Sequence, residues 1–472
     1  MDGRSGQERF HERFLEQVAG LAPASADQAG MRTTRGSWRV AGLTALFAFL
    51  VYLLTLAPGL TWRNDGADGG DLIAAVVTGG VPHPSGYPTY LLFGEVAARL
   101  PIGDLAHRFN LLSAVAAAAA TGLTLQAASV ALEKSPASAG NTRLGAATMA
   151  ALTAAFSSIL WSQAVITEVY ALNALFVALS LYLGLRARSA GSRSHLWVAA
   201  AGAFGLGLGN HLALAALAPL LLSLYWCART NEGPAQGSSD GRIVVIGAAG
   251  LAFLVGLGVY AMLPVRAARH APVNWGGADT WDGFLWLVTG RAYAELVGAL
   301  PATYLPQRAL AAAALLARQL AWWGVPVAYL GLRSMWRRDR TLVAGTSLAA
   351  GLTVAYAIGY NTGDSYVYLI PVTLLLALWL AWGVPEAVAV LSPRVIAILG
   401  DRPARYLAYA TAATLLAVPL VANWRLVDAS DDRAAHEYGS RALAHVPAHA
   451  LIVTDAGTDT FPPWYFRYDE QR

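Results

Sequence analysis

Apolar runs separated by short polar or arginine-bearing breaks occupy most of this chain. From Trp38 onward they cover residues 38–58, 110–132, 144–161, 169–185, 196–209, 212–227, 243–263, 309–332, 342–360, 367–384 and 407–424. A helix needs roughly 20 apolar residues to cross a hydrocarbon core about 30 Å thick. Residues 40–62, 111–132 and 244–263 contain no Asp, Glu, Lys or Arg. The pattern predicts an all-α integral membrane protein of about eleven transmembrane helices. Residues 196–227 make two helices only if Gly209-Asn210-His211 is a turn.

The arginines support that count. With the N-terminus in the cytoplasm, the predicted inner side holds Arg32, Arg35 and Arg39, then Lys134 and Arg143. It continues with Arg186, Arg188 and Arg193, with Arg229 and Arg242, with Arg333, Arg337, Arg338 and Arg340, and with Arg394, Arg402 and Arg405. The predicted outer turns 162–168, 210–211 and 361–366 contain neither Lys nor Arg. This is the bias expected of inward-facing loops. Fusing 196–227 into one span would move the Arg333–Arg340 cluster outside.

A cytoplasmic polar segment, 1–37, is therefore expected before a transmembrane domain, 38–425. Long outer loops at 59–109 and 264–308 carry amphipathic stretches at 72–77, 90–100 and 281–288, expected to lie in the membrane interface. Residues 426–472 are expected outside, with a strand-like run at 450–454, and the chain is expected to continue into a larger extracytoplasmic domain. No apolar leader precedes the first span, which is read as an uncleaved insertion signal. No internal repeat is evident.

Composition narrows the class. Hydrophobic residues make up 56% of the chain and charged residues 13%, against about 25% charged in a soluble domain. The net charge of +4 does not indicate nucleic acid: all but one of the 33 basic residues are Arg, the exception being Lys134, and no basic stripe is interleaved with aromatics. One cysteine, Cys227, allows neither an internal disulfide nor a cysteine metal site. No metal-ligand motif, H-E-x-x-H, G-x-S-x-G or P-loop occurs, and no cofactor is implied.

The polar chemistry falls on the predicted outer side. Asp65-Gly-Ala-Asp68-Gly-Gly-Asp71 puts three carboxylates among small residues just after the first span. Neighbouring carboxylates repel, which can lift one toward the range of a general base. The competing reading is a turn in which Asp71 caps a helix. Val81-Pro-His83-Pro-Ser-Gly86-Tyr87-Pro88 follows, offering His83 and Tyr87 as substrate contacts. Glu168 and Tyr170 lie at one outer hairpin tip, and Asn210 and His211 at another. A carboxylate so close to hydrocarbon needs a partner or water, and helix capping is the alternative. Arg266 ends a span where a lipid phosphate would sit and could grip it bidentately, unless it only snorkels. Asn274, Asp279, Asp364 and Tyr366 complete the set. A transporter would place ionisable groups at mid-span in broken helices, whereas here mid-span positions are Ala, Leu, Val and Gly.

These segments resemble a bacterial multi-span family whose animal relative is a protein O-mannosyltransferase, within the GT-C glycosyltransferases. The resemblance rests on ordered blocks across residues 38–472: Ala67-Asp-Gly-Gly-Asp71, His83-Pro-Ser-Gly-Tyr-Pro88, Asn110-Leu-Leu-Ser113, Trp161 to Asn173, Gly209-Asn-His211, Leu263-Pro-Val-Arg266, Asn274-Trp-Gly276 with Asp279-Thr, Asp364-Ser-Tyr-Val-Tyr368, and Thr454-Asp455 with Asp459-Thr-Phe461. The family usually reads Gly-Asp-Ser-Gly-Glu at the first block, so Asp71 stands for a longer Glu. The resemblance implies a GT-C-like fold and an inverting glycosyltransferase of the bacterial plasma membrane. Its donor would be a polyprenyl-phosphate sugar, with mannose suggested, and its acceptor a protein or glycan hydroxyl on the outer face. Asp68 takes the place of the base, with Asp71 the alternative, and Arg266 is the residue chosen for the leaving phosphate. A flippase for lipid-linked saccharides and a non-catalytic envelope-assembly scaffold are the competing functions.

Overall fold

The computed structural model describes residues 26–135, 140–189, 194–230, 239–399, 414, 417–447 and 449–469. Residues 1–25, Arg193, Arg402, Arg405 and half of the predicted span 407–424 lie outside the described residues. The chain begins with α1 (Ala26–Leu54), α2 (Gly69–Thr78), α3 (Pro88–Ala98) and α4 (Leu105–Ala131). Next come α5 (Gly140–Ala155), α6 (Ser158–Ala164), α7 (Tyr170–Ser189), α8 (Ser194–Leu208), α9 (Ala218–Thr230) and α10 (Ser239–Leu257). Then follow α11 (Met262–Ala267), α12 (Trp281–Val288), α13 (Leu305–Gln319), α14 (Gly324–Arg338), α15 (Arg340–Gly359) and α16 (Ile370–Leu399). The last are α17 (Ala417–Val427), α18 (Ala434–Ala444) and α19 (Gly457–Tyr468).

Among the described residues, seven helices are long and apolar enough to cross a membrane, or nine if each of two bent pairs is one span. About eleven were expected. The difference falls on α8, an apolar helix too short to pass as a span, and on 407–424, of which only residue 414 and the first part of α17 are described. The bent pairs also correct the reading of 144–161 and 309–332 as simple spans: α5 and α6 meet at 67°, and the helices flanking 320–323 meet at 92°. A broken helix frees backbone groups that lipid cannot satisfy. Gln319, buried at the end of α13, meets that need, its Oε1 accepting the Ile159 amide at 3.3 Å and Ser158 Oγ at 3.1 Å. One break thus caps the other.

The bundle packs α4 against α1 and α7, α8 against α10, and α14 against α16. The last crossing is close because Gly331 and Gly383 face opposite backbones: an added Cβ would lie 1.8 Å from the carbonyl oxygen of Trp379 or Val327. Small residues at such a crossing let helices gain packing where burial from water offers little drive. Two of the expected interface and strand elements differ. The stretch 72–77 belongs to α2, whose Leu72, Ile73, Ala74 and Ala75 are fully buried, so it is wrapped by protein rather than laid on lipid. Residues 450–454 form no strand, and Leu451 and Val453 stand exposed.

The two ends of the bundle differ in chemistry. At one end Arg188 forms a bidentate pair with Asp339, which also receives Lys134 Nζ at 3.2 Å and caps α15 through the Leu342 amide at 3.1 Å. This gathers the ends of α4 and α7 and the α14–α15 turn, all predicted cytoplasmic. The candidate site residues come from the alternate loops. Single-cysteine variants in a Cys227→Ala background test the orientation: at Asp279 and Leu451, both exposed, cells should label with an impermeant maleimide. Arg337, exposed at the other end, should label only after permeabilisation. The reverse pattern would invert the topology.

Candidate active site

The site begins where α2 begins. Asp68 is the N-cap residue of α2, yet its side chain makes no capping hydrogen bond. Three residues on, Asp71 lies on the first turn of the helix and is fully buried. The expectation that Asp71 caps this helix is therefore corrected. Gly70 sits between them because the backbone of Phe461 on α19 passes so near that an added Cβ would lie 2.2 Å from its carbonyl oxygen.

Asp71 is saturated by donors. Its Oδ2 accepts the His83 amide at 3.0 Å and faces His83 Nδ1 at 2.7 Å; its Oδ1 accepts the Trp275 indole N–H at 3.0 Å. Fully enclosed, it does not line the cavity onto which Asp68 opens. The other edge of the His83 ring points at Asp68, with Nε2 3.4 Å from Oδ2. Phe461 stacks on the ring at 6.4 Å between centroids, and Tyr87 meets it edge-on at 5.1 Å.

Asp68 opens onto a cavity of about 670 Å³. Of the predicted residues, Asp68, His83, Tyr87, Tyr170, His211 and Asp364 line it together. A wall the sequence did not flag completes it: Tyr293 from the long 264–308 loop, Tyr356 from α15, Tyr360 just past its end, and Tyr368. Tyr368 stands at the hub, 5.2–5.8 Å between centroids from Tyr170, His211, Tyr356 and Tyr360. One end of the cavity lies against Leu212, Ala215 and Ala216 and against Thr353 and Tyr356, at the ends of two membrane-length helices. Among the described residues its lining contains no Lys or Arg.

The charges follow from this enclosure. Burial raises the Asp68 carboxyl above its usual range; the His83 ring pulls it back, and Asp71 and Asp364 push it up again. Burial disfavours a charged His83, but the three carboxylates Asp68, Asp71 and Asp364 outweigh it and lift the imidazole to about 9. His211 moves the other way, to about 4, through burial and repulsion from His83. Its Nδ1 accepts the Ala213 amide at 3.1 Å, so the neutral ring carries its proton on Nε2.

The remaining predicted residues serve as supports. Arg266 donates to the carbonyls of Ala75 and Gly80 at 3.2 and 2.9 Å and pairs with Glu95. Buried, with its guanidinium engaged by these partners, it ties together α2, the loop after it and α3, and it does not line the cavity. Glu168 is buried behind Asp68; burial, then the charges of Asp68 and Asp364, hold its carboxyl well above the usual range. Asn210 donates to the Val169 carbonyl at 3.0 Å, and Asn274 to that of Ala267 at 3.2 Å. The backbone beside Asn274 pairs with Val81, Val81 N reaching Val273 O at 2.9 Å and Trp275 N reaching Val81 O at 3.1 Å. Tyr366 donates to Asp65 at 2.7 Å, and Asp279 is exposed and outside the cavity lining. Trp275, Tyr368 and Phe461 lay within the motif blocks without being singled out; Tyr356 and Tyr360, one helical turn apart, carried only that spacing as a signal.

The fold that holds this polar cavity, with its helix ends and the carboxylates Asp68 and Asp364, is shared with solved structures. The solved structures agree in fold: ArnT from Cupriavidus metallidurans bound to undecaprenyl phosphate superposes with a TM-score of 0.60 at 14% identity, covering 90% of this chain and 84% of that one. Its apo form gives 0.58 over the same shares. Residues 68–233 match the family described as the protein O-mannosyl-transferase TMEM260 N-terminal domain, so the resemblance carried by the sequence blocks is shown. The mouse protein O-mannosyl-transferase TMEM260 is 32% identical over 258 residues, 53% of this chain and 34% of that protein. The chain thus matches about a third of the length of this curated relative.

The tether assigned to Arg266 is testable. Arg266→Ala strands two buried carbonyls and Glu95, a loss of about 2–3 kcal/mol, and should lower the thermal midpoint in detergent. The donor KM of the surviving enzyme should stay unchanged. A raised donor KM without loss of stability would return Arg266 to the phosphate.

Proposed function

We propose that this protein is an inverting glycosyltransferase that moves a sugar, mannose by preference, from a polyprenyl-phosphate donor to a protein or glycan hydroxyl on the outer face of the plasma membrane. The observation that carries this reading is Asp68: of the three carboxylates Asp65, Asp68 and Asp71 it alone lines the cavity, and its side chain makes no capping bond. The names of the relatives support it, one an O-mannosyl-transferase and the other a fold neighbour crystallised with undecaprenyl phosphate.

In this mechanism the donor's lipid runs out between the 212–216 and 353–356 segments, and the sugar stacks on the tyrosine wall. The acceptor hydroxyl lies against Asp68. Its oxygen attacks the anomeric carbon as Asp68 takes the proton; the bond from that carbon to the phosphate oxygen breaks, and the electron pair leaves with the phosphate. Attack opposite the leaving group inverts the anomeric centre. His211 Nε2–H and the tyrosyl hydroxyls are the donors available to the departing phosphate, in the place first given to Arg266.

The test is purified protein in proteoliposomes with polyprenyl-phosphate [¹⁴C]mannose, reading mannose transferred to added acceptor or to water. Asp68→Asn keeps size and polarity but cannot take up a proton, and should lower kcat by about 10²–10⁴ with donor KM largely kept. Full activity in folded Asp68→Asn would remove Asp68 as base. Movement of intact donor across the bilayer with no release of mannose would favour a flippase, and neither outcome a scaffold.

A further inference from the structure

Asp71 and Trp275 serve no acceptor and no donor directly, yet they are built around one ring. The indole N–H of Trp275 fixes Oδ1 of Asp71, leaving Oδ2 for the backbone and Nδ1 of His83. A carboxylate with no exposed surface is costly unless its partners are donors, so Nδ1 must carry a proton. Nε2 then faces the Asp68 carboxylate at 3.4 Å, and a ring protonated on both nitrogens satisfies both contacts. No Lys or Arg lines the cavity among the described residues. Phe461 and Tyr87 cover the ring's face and edge.

We propose that His83 is a positioning residue: clamped by Asp71 and Trp275, it presents a cationic Nε2–H to Asp68 and keeps that carboxylate ionised and aimed into the cavity. The inference rests on the reading of Asp68 as the base only for its mechanistic meaning, since the electrostatic claim stands without it. The charged and titratable groups facing His83 come from several elements: Asp68 and Asp71 from α2, Asp364 from the α15–α16 turn, Tyr87 from its own loop, and His211 from the α8–α9 turn. Burial and the like charges of Asp71 and Asp364 would otherwise push Asp68 toward its neutral acid, which cannot accept a proton; the ring opposes them. The lift of the imidazole to about 9 agrees with a cation at neutral pH.

The probe is N,N′-dicyclohexylcarbodiimide, which reacts with protonated carboxyls in apolar surroundings. Labelling of Asp68 in proteoliposomes, localised by fragment mass spectrometry, is followed against pH. In the wild type it should fall through a midpoint as Asp68 ionises. In His83→Gln that midpoint should rise by about one pH unit or more. Trp275→Phe, which removes only the N–H to Asp71, should move it the same way by less, and it carries the test alone if His83→Gln does not fold. Labelling of Glu168 in the same samples reports whether the pocket is intact. An unmoved Asp68 midpoint in a folded variant overturns the proposal. The transfer assay on Asp68→Asn separates the two readings: activity there sinks the base while a moved midpoint still stands, and inactivity with an unmoved midpoint sinks the clamp alone.

Discussion

A carboxylate with no exposed surface must be met by donors, and Asp71 imposes that condition on everything around it. Its three donors come from two loops separated by about half of the transmembrane domain: the amide and ring of His83 from the first, the indole of Trp275 from the second. Satisfying them draws the His83 loop back over α2 and brings the 273–275 backbone alongside Val81, where two hydrogen bonds hold it. Arg266 repeats the theme with the charge reversed, taking up two loose carbonyls at the end of α2 and the start of the loop. The polar groups left over, Asp68 and Asp364 among them, line the cavity because the interior has no place for them.

The same accounting explains the irregular helices. Lipid supplies no partners for a broken backbone, so α5–α6 and α13–α14 bend where protein groups can answer. Gln319 serves both breaks, and Trp161, buried beside the first, hands its N–H to Thr55 at 2.9 Å. At the far end of the bundle Asp339 unites Arg188, Lys134 and a helix N-terminus in one cluster. Charge is therefore confined to the two ends, and the centre is left to small and aliphatic side chains packed closely enough to need glycine at Gly331 and Gly383.

The spans were legible because hydrophobicity is a local property, readable over twenty residues. Their bends were not, since a bend depends on whether a partner such as Gln319 arrives from elsewhere. Asp68, His83 and Tyr87 stood out because glycines and prolines mark a backbone held in an unusual path, and His211 because it sits in a hairpin turn. Asp71, Arg266, Asn210 and Asn274 stood out equally, and in the structure their side chains hydrogen-bond within the protein and lie outside the cavity lining. Residue type reveals that a polar group must be satisfied, and the direction it faces decides whether protein or solvent satisfies it. The tyrosine wall had no comparable signature, its members lying far apart in the chain, and Tyr293 and Tyr360 acquire meaning only once Tyr170, His211 and Tyr368 are beside them.

The approach of Phe461 to Gly70 and its stacking on His83 join the first outer loop to a segment almost four hundred residues further along. A ribosome makes these ends far apart in time, and every intervening span must enter the bilayer before they can meet. Throughout that interval the His83 ring lacks the cover of Phe461, and for most of it the cavity also lacks α15 and Tyr368. The nascent chain therefore passes through the membrane without a finished pocket. The pocket is therefore closed by contacts that form late, after the spans between Gly70 and Phe461 are in place.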